Sequence, residues 1–230
     1  MFAFKRFTVR QEGAAMKVGT DGVLIGAWAR IPESCRRILD IGTGTGLIAL
    51  MAAQRSNKAS ITGVEIDTSS AAQARKNISE SDWRERIEII HTDICDYCPT
   101  EKFDIIISNP PFYNGTLTSP DDGRTKARHT VTLGFKELMA AAERLIAPEG
   151  RFSVIVPSES VGALVAAGNM HLIRRCDVRT KTSKPPKRTM LEFSPLFEGA
   201  ALCEELAIRD DSDNYTEQYR ALTADFYLNL

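Results

Sequence analysis

Short apolar runs alternate with helix-forming segments through the first 170 residues, and this alternation most constrains the fold. The apolar runs predict five strands, at 37–41, 61–66, 87–91, 103–108 and 151–156. Helical periodicity or high helix propensity marks the segments that follow, at 47–55, 69–79, 136–146 and 158–167. Because strands that alternate with helices pair in parallel, the pattern predicts a doubly wound α/β sheet.

The two ends of the chain depart from this alternation. Residues 4–10 are typical of one arm of a hairpin, and Asp21 is placed to cap a following helix. The stretch 180–188, which contains Pro185-Pro186, predicts a mobile loop. Beyond residue 170, strands are expected at 172–178, 190–193 and 202–208, and a helical tail at 214–230.

The composition is consistent with one domain. A chain of 230 residues with 43% hydrophobic content can bury one sizeable core. We expect a single domain over 1–230, with an N-terminal extension (1–34), a core (35–170) and C-terminal strands with a helix (171–230). No run of about 18 apolar residues predicts a membrane span.

The cysteines indicate a reducing, cytoplasmic setting. There are five of them, an odd number, and residues 1–10 do not resemble a secretory signal. Cys95 and Cys98 form a C-x-x-C pair, but no second pair completes a zinc site, so we expect free thiols and no metal.

A glycine-rich turn joins the first core strand to the first core helix. It reads Asp40-Ile41-Gly42-Thr43-Gly44-Thr45-Gly46, where glycines allow a sharp turn and close approach to a ligand. A dehydrogenase would need G-x-G-x-x-G, but the sixth position from Gly42 is Leu47. Glu65 lies 23 positions after Gly42 at a strand end, where an acid can accept hydrogen bonds from two ribose hydroxyls.

The tetrapeptide Asn109-Pro110-Pro111-Phe112 directly follows the fourth core strand. An exocyclic base amine is a poor nucleophile and needs acceptors for its two protons, which the Asn109 oxygen and the Pro110 carbonyl can provide. Pro110 and Pro111 stiffen the loop, and Phe112 offers a face on which a base can stack. These residues are the candidate catalytic group.

The D-x-G-x-G-x-G turn resembles the first motif of the class I S-adenosylmethionine-dependent methyltransferases. That resemblance implies a Rossmann-like, mostly parallel sheet of seven strands with S-adenosylmethionine as cofactor. It also implies that Asp93 contacts the adenine amine of the cofactor. The N-P-P-[YF] tetrapeptide is similar to that of amino-methyltransferases acting on adenine N6, cytosine N4, guanine N2 or glutamine amides.

Residues 16–24, 39–51, 105–112 and 214–227 resemble the bacterial tRNA adenine-N6 methyltransferases that modify adenosine 37 of a valine tRNA. The chain departs from that family's commoner tyrosine at Phe112, which preserves stacking but removes a hydroxyl. The resemblance implies that residues 17–22 form a lid over the cofactor. The cofactor contacts it implies are Lys17, Thr20, Asp21, Asp40, Gly42, Thr43, Gly44, Gly46, Glu65, Ile66, Asp93, Ile94 and Asn109.

The resemblance also implies a tRNA partner, recognised at its anticodon region without an obligate protein subunit. Net charge is −1, but residues 171–190 hold seven basic side chains against one acid, and residues 198–217 hold seven acids against one base. A local basic patch can bind phosphates, although a pair of solvated loops explains the charges equally well. The candidate RNA-binding residues are Arg124, Lys126, Arg128, His129, Arg174, Arg175, Lys184, Lys187 and Arg188.

Two alternatives stay open from the residues. One is methylation of another nitrogen, in rRNA guanine or cytosine or in a protein glutamine, because the tetrapeptide does not separate these substrates. The other is an RNA-binding protein of the same fold that has lost catalysis, which the intact glycine turn, Glu65 and Asn109 argue against.

Overall fold

An eight-stranded sheet forms the centre of the molecule. The computed structural model describes residues 1–12, 17–111, 133–196 and 199–229. In chain order the strands are β1 (Phe2–Ala3), β2 (Thr8–Val9), β3 (Arg37–Ile41), β4 (Ser60–Glu65), β5 (Ile87–His91), β6 (Phe103–Ser108), β7 (Ile146–Pro157), β8 (His171–Lys181), β9 (Pro186–Ser194) and β10 (Leu202–Arg209). The helices are α1 (Thr20–Trp28), α2 (Leu47–Arg55), α3 (Thr68–Ser79), α4 (Phe135–Leu145), α5 (Val161–Val165) and α6 (Glu217–Thr223), with 3-10 turns at Arg84–Arg86 and Ser158–Ser160.

The sheet runs in the order β10-β8-β9-β7-β6-β3-β4-β5, and β1 and β2 form a separate antiparallel hairpin. Among the described strands of this sheet, only β9 runs antiparallel to both of its neighbours. The prediction of a mostly parallel, doubly wound α/β sheet is therefore confirmed. The described residues form eight strands of this sheet where seven were expected, because β10 pairs in parallel with β8 and extends that edge.

Some local predictions were wrong at helix and strand ends. Gly19 is the N-cap of α1, so Asp21 lies in the first turn of the helix and does not cap it. The stretch 180–188 is mostly strand, because β8 and β9 are joined by a short turn in which Lys184 N donates to Lys181 O at 3.0 Å. The helical tail is confined to Glu217–Thr223, capped by the Thr216 side chain.

Two apolar clusters cover the two faces of the sheet. One gathers α1, α2, α3 and α6 around side chains such as Leu24, Leu50 and Phe226. The other gathers α4 and α5 around side chains such as Phe103 and Phe152. Burial of these side chains on both faces explains why the central strands are almost continuously apolar.

The N-terminal hairpin packs against the chain's C-terminal segment. Phe4 stacks on Phe7 with ring centroids 4.7 Å apart and on Tyr227 at 5.9 Å. Lys5 N donates to Phe226 O at 2.8 Å, so backbone as well as aromatic contacts hold the hairpin. No helix within the described ranges has the length and apolar character needed to cross a membrane.

Candidate active site

The candidate site lies at the carboxyl edge of the sheet, between β3 and β6. These strands pair in parallel, but the chain continues from β3 to β4 on one side and from β6 to β7 on the other. In open α/β sheets such a reversal opens a crevice where ligands bind. The glycine turn follows β3, and Asn109 follows β6, so the two predicted motifs face the same crevice.

The glycine turn adopts a backbone conformation that requires its glycines. Gly42, Gly44 and Gly46 have φ angles of 69°, 54° and 81°, in the left-handed region that strains other residues. The N–H groups of Gly42 and Thr43 donate to Val64 O at 2.9 and 3.1 Å, which fixes the turn to the end of β4. A Cβ on Gly42 would meet no atom within 4 Å, so this part of the turn borders open space.

Asp40 supports the turn from below. Its side chain is fully buried, and Oδ2 accepts hydrogen bonds from Thr43 Oγ1 at 2.5 Å and Ala49 N at 3.2 Å. Burial raises the pKa of this carboxyl to about 7, against the lowering effect of the two hydrogen bonds. Among the described residues, Oδ1 has no hydrogen-bond partner.

Glu65 closes the side of the turn that faces β4. Its side chain is largely buried; Oε2 accepts from Gly44 N at 2.8 Å, and Oε1 accepts from Asp67 N at 2.9 Å. The next residue, Ile66, is 46% exposed, which is unusual for a large apolar side chain and leaves it accessible to a flat ligand. The carboxylate therefore already orients the backbone of the predicted cofactor loop.

The loop after β5 brings Asp93 to the same edge. Thr92 N donates to Glu65 O at 3.0 Å, which joins this loop to the end of β4. Asp93 Oδ1 accepts from Cys95 N at 2.9 Å, and the next residue, Ile94, is buried. The structure thus brings together the glycine turn, Glu65, which spacing singled out, and Ile66 and Asp93, which the family resemblance singled out.

Asn109 carries a buried side-chain acceptor. Its Oδ1 has no hydrogen-bond partner within the described part of the chain. The first turn of α1 covers the side chain, because a Cβ on Gly22 would lie 3.8 Å from Asn109 Nδ2 and 3.0 Å from Leu47 Cδ2. Pro110 is buried and Pro111 exposed, while Phe112 lies outside the described residues.

The start of α1 links the predicted lid to the C-terminal strands. Lys17, just before α1, and Thr20, its first residue, are exposed. Asp21 Oδ2 accepts a hydrogen bond from Arg188 Nε on β9 at 2.7 Å. Sequence reasoning assigned Asp21 to the cofactor and Arg188 to RNA, and it did not foresee that they pair.

The basic segment on β8 is largely neutralised by the acidic segment on and after β10. Ion pairs join Arg179 to Glu205 at 3.2 Å and Lys181 to Asp213 at 2.8 Å. The parallel register of the two strands brings these opposite charges side by side. The expected basic patch is therefore much smaller than the sequence suggested.

Arg174 in particular is a structural residue. It is 9% exposed, lies 3.9 Å above the Trp28 ring, and donates from Nε to Glu204 Oε2 at 3.0 Å. Arg175 is paired with Asp177 at 3.0 Å. The expectation that Arg174 contacts RNA is not supported, since its guanidinium is enclosed by Trp28 and Glu204.

The remaining predicted RNA contacts fall into two groups. Lys184 and Lys187 are exposed in and beside the turn between β8 and β9, close in sequence to Arg188. The basic loop residues Arg124, Lys126, Arg128 and His129 lie outside the described residues.

The cysteines are all free thiols. Cys95 and Cys98 are exposed, and Arg144 Nη1 lies 3.8 Å from Cys98 Sγ. Across 1–12, 17–111, 133–196 and 199–229, no group of three or more potential ligands could hold a metal ion.

Comparisons with known proteins agree with this geometry. Residues 23–166 match the Methyltransferase small domain family. The chain is 46% identical to a "tRNA1(Val) (adenine(37)-N6)-methyltransferase" from Phocaeicola vulgatus, covering 100% of this chain and 98% of the relative. A protein of the same name from Klebsiella pneumoniae is 43% identical, with 99% of this chain and 94% of the relative covered.

A solved structure supports the fold. A predicted O-methyltransferase from Agrobacterium tumefaciens superposes with a TM-score of 0.71 at 19% identity, covering 92% of this chain and 100% of that one. The glycine turn follows β3, the N-P-P motif follows β6, and the full-length relatives are more than 40% identical. The chain therefore belongs to the Methyltransferase small domain family and, within it, to the tRNA1(Val) (adenine(37)-N6)-methyltransferases.

Proposed function

We propose that the protein transfers a methyl group from S-adenosylmethionine to N6 of adenosine 37 in a valine tRNA. The names of its full-length relatives specify the substrate atom, and the geometry of the site accounts for the chemistry. The single observation that carries the proposal is the buried Oδ1 of Asn109, which has no hydrogen-bond partner among the described residues. A desolvated acceptor of this kind is stabilised when a substrate donor reaches it.

The residues present fit S-adenosylmethionine. The cofactor supplies a methyl group on a sulfonium, which is already activated for displacement. The glycine turn borders open space at Gly42, and the buried Asp40 carboxyl group has one oxygen without a partner among the described residues. We assign the amino acid part of the cofactor to this turn and to the start of α1, and the nucleoside part to Glu65, Ile66 and Asp93. The other proposed cofactor contacts are Lys17, Thr20, Asp21, Thr43, Gly44, Gly46, Ile94 and Asn109.

The chain's own contribution to methyl transfer is positioning. The Asn109 oxygen and the Pro110 carbonyl accept hydrogen bonds from the two N–H groups of the adenine amine, which favours a pyramidal nitrogen whose lone pair is no longer delocalised into the ring. As the nitrogen bonds to the methyl carbon, the bond from that carbon to sulfur breaks, and the surplus proton on N6 is lost to solvent after transfer. Pro110 and Pro111 limit movement of these acceptors, and Ser108 Oγ donates to Ile41 O at 2.9 Å, which holds the motif beside β3. Phe112 is proposed to stack on the target base. The chemistry needs no metal ion and no covalent enzyme intermediate.

A tRNA loop suits this site because a single-stranded adenosine can be turned out of its stack into a crevice. We propose that Lys184, Lys187 and Arg188 contact the backbone of the anticodon region, together with the basic loop residues Arg124, Lys126, Arg128 and His129. Such phosphate contacts strengthen binding without reading sequence. The proposal needs no second protein subunit, and a tRNA substrate implies a cytoplasmic enzyme.

Replacement of Asn109 separates catalysis from cofactor binding. Asn109→Ala removes one hydrogen-bond acceptor for the adenine amine, so turnover on tRNA should fall by about two to three orders of magnitude. Affinity for S-adenosylhomocysteine, measured by calorimetry, should fall by no more than about tenfold, because Asn109 supplies only one of many proposed cofactor contacts. Asn57→Ala, at an exposed asparagine between α2 and β4, is the matched control. Retained turnover, or equal loss of turnover and affinity, would contradict the role assigned to Asn109.

A further inference from the structure

Asn77 is a buried polar residue in the interior of α3 that the proposed chemistry does not use. It is 2% exposed, although asparagine is a poor helix former and is rarely buried without partners. Its side chain points between the glycine turn and the N-terminal hairpin. The amide makes four hydrogen bonds, to three different parts of the chain, and so uses all of its ordinary donor capacity.

One side of the amide holds the glycine turn. Asn77 Nδ2 donates to Thr45 O at 2.8 Å. The same peptide unit ends in Gly46 N, which donates to Thr43 O at 2.8 Å. Because a peptide unit is planar, these two bonds fix the orientation of the Thr45–Gly46 plane from both sides. This plane directly precedes α2, at the end of the proposed cofactor loop.

The other side of the amide holds the N-terminal segment. Asn77 Oδ1 accepts from Arg10 N at 2.9 Å, and Nδ2 donates to Arg10 O at 2.9 Å, so the amide pairs with Arg10 as a neighbouring strand would. Glu80, the C-cap residue of α3, pairs with Arg10 Nε at 3.0 Å. Close by along the chain, Val18 N donates to Gln11 Oε1 at 2.7 Å, which ties the start of α1 back to this anchored segment.

We propose that Asn77 is a positioning residue for the methyl donor, joining the cofactor loop to the N-terminal segment that leads into α1. A single amide sets the Thr45 carbonyl and the Arg10 backbone at a fixed separation. The N-terminal hairpin thereby becomes part of the cofactor site, although it lies outside the glycine motif. This inference rests on the proposed function, because it concerns binding of the same cofactor.

The test compares variants of Asn77 in the full-length protein. Asn77→Asp keeps the shape and one acceptor, but it places a carboxylate oxygen against the Arg10 and Thr45 carbonyls. Asn77→Ser also removes the two N–H donors of the side-chain amide but adds no charge, so it is the variant to test if Asn77→Asp does not fold. Lys76→Ala, at the exposed neighbouring position on α3, is the control. Each is measured for S-adenosylhomocysteine affinity by calorimetry, for kcat and KM on tRNA, and for thermal unfolding.

We expect the Asn77 variants to raise the Kd for S-adenosylhomocysteine and the KM for S-adenosylmethionine about tenfold or more, with kcat at saturating cofactor within about threefold. The control should match wild type. An unchanged Kd and KM in a folded variant, or a loss confined to thermal stability, would overturn the inference. Its failure is distinct from failure of the proposed function, because wild-type methylation of tRNA is measured in the same series and the Kd comparison does not depend on turnover.

Discussion

Glu65→Gln tests how the carboxylate at the end of β4 shapes the cofactor loop. Glu65 accepts one backbone hydrogen bond on each oxygen, from Gly44 N at 2.8 Å and from Asp67 N at 2.9 Å, and the residue is only 9% exposed. A glutamine has one acceptor oxygen and one amino group that can only donate. Whichever way the amide is turned, one of the two backbone N–H groups then faces another donor.

The size of the effect follows from these contacts. A hydrogen bond to a charged acceptor contributes about 1.5–3 kcal/mol, and an opposed donor is at least as unfavourable. If Gly44 loses its fixed orientation, the Kd for S-adenosylhomocysteine should rise between about tenfold and about 150-fold, at 1.4 kcal/mol per tenfold change. The proposed ribose contacts of Glu65 would add to this loss.

The assay is isothermal titration of S-adenosylhomocysteine into wild type, Glu65→Gln and a matched control. Glu88→Gln is suitable as the control, because Glu88 is exposed on the adjacent strand β5. Thermal unfolding of each variant confirms that the fold is retained. A Kd for Glu65→Gln within twofold of wild type would refute the assignment of Glu65 to the cofactor site.

Three further predictions concern pH, RNA binding and packing. The pKa of Asp40 is about 7 in the folded protein and near 3.8 in the unfolded chain. Between pH 3.8 and pH 7 the carboxyl is therefore protonated in the folded protein and ionised in the unfolded chain, so the folded state loses stability as the pH rises towards 7. The free energy of unfolding of Asp40→Asn, relative to that of wild type, should therefore rise by about 2–3 kcal/mol between pH 5 and pH 7 and stay constant above pH 8. A difference measured by chemical denaturation that does not change across that range would be inconsistent with a buried neutral carboxyl. Charge reversal of Lys184 and Lys187 together should weaken tRNA binding and make the negative slope of log K against log salt shallower by about one to two. An unchanged slope would show that these lysines do not contact the RNA backbone. Arg174→Ala should lower the free energy of unfolding by about 1–3 kcal/mol through loss of the Trp28 contact and the partly buried ion pair, while the salt slope of tRNA binding stays as in wild type.

The sequence predicted the regular core well, because local pattern and tertiary packing agree there. Helix α2, at Leu47–Arg55, begins directly after Gly46, where a run of helix-forming residues starts. Strand β6 coincides with an apolar run that is buried on both faces of the sheet. The glycine turn, Glu65 and Asn109 meet at one edge because parallel strands place their carboxyl ends together.

The errors come from contacts between residues distant in sequence. Pro185-Pro186 suggested a loop, yet Pro186 begins β9 at a strand end, where a missing N–H is tolerated. The sequence suggested a separate basic segment on β8 and a separate acidic segment on and after β10. Their neutralisation follows from the parallel register of the two strands, which the sequence does not reveal.

The roles of Asn77 and of the Asp21–Arg188 pair could not be read from local pattern either. Asn77 contacts Arg10, which is 67 residues away in sequence, and Asp21 and Arg188 are 167 residues apart. An asparagine inside a strongly predicted helix was the one available signal, since such a residue lowers helix propensity unless its side chain has a task.

The measurement that tests the central claim most directly is transfer of a labelled methyl group from S-adenosylmethionine to total tRNA that lacks this modification, followed by nucleoside mass spectrometry. Wild-type protein should yield labelled N6-methyladenosine at the position beside the anticodon, and Asn109→Ala should yield almost none. Absence of labelled N6-methyladenosine from a protein that binds S-adenosylhomocysteine would contradict the account, as would label on any other nucleoside.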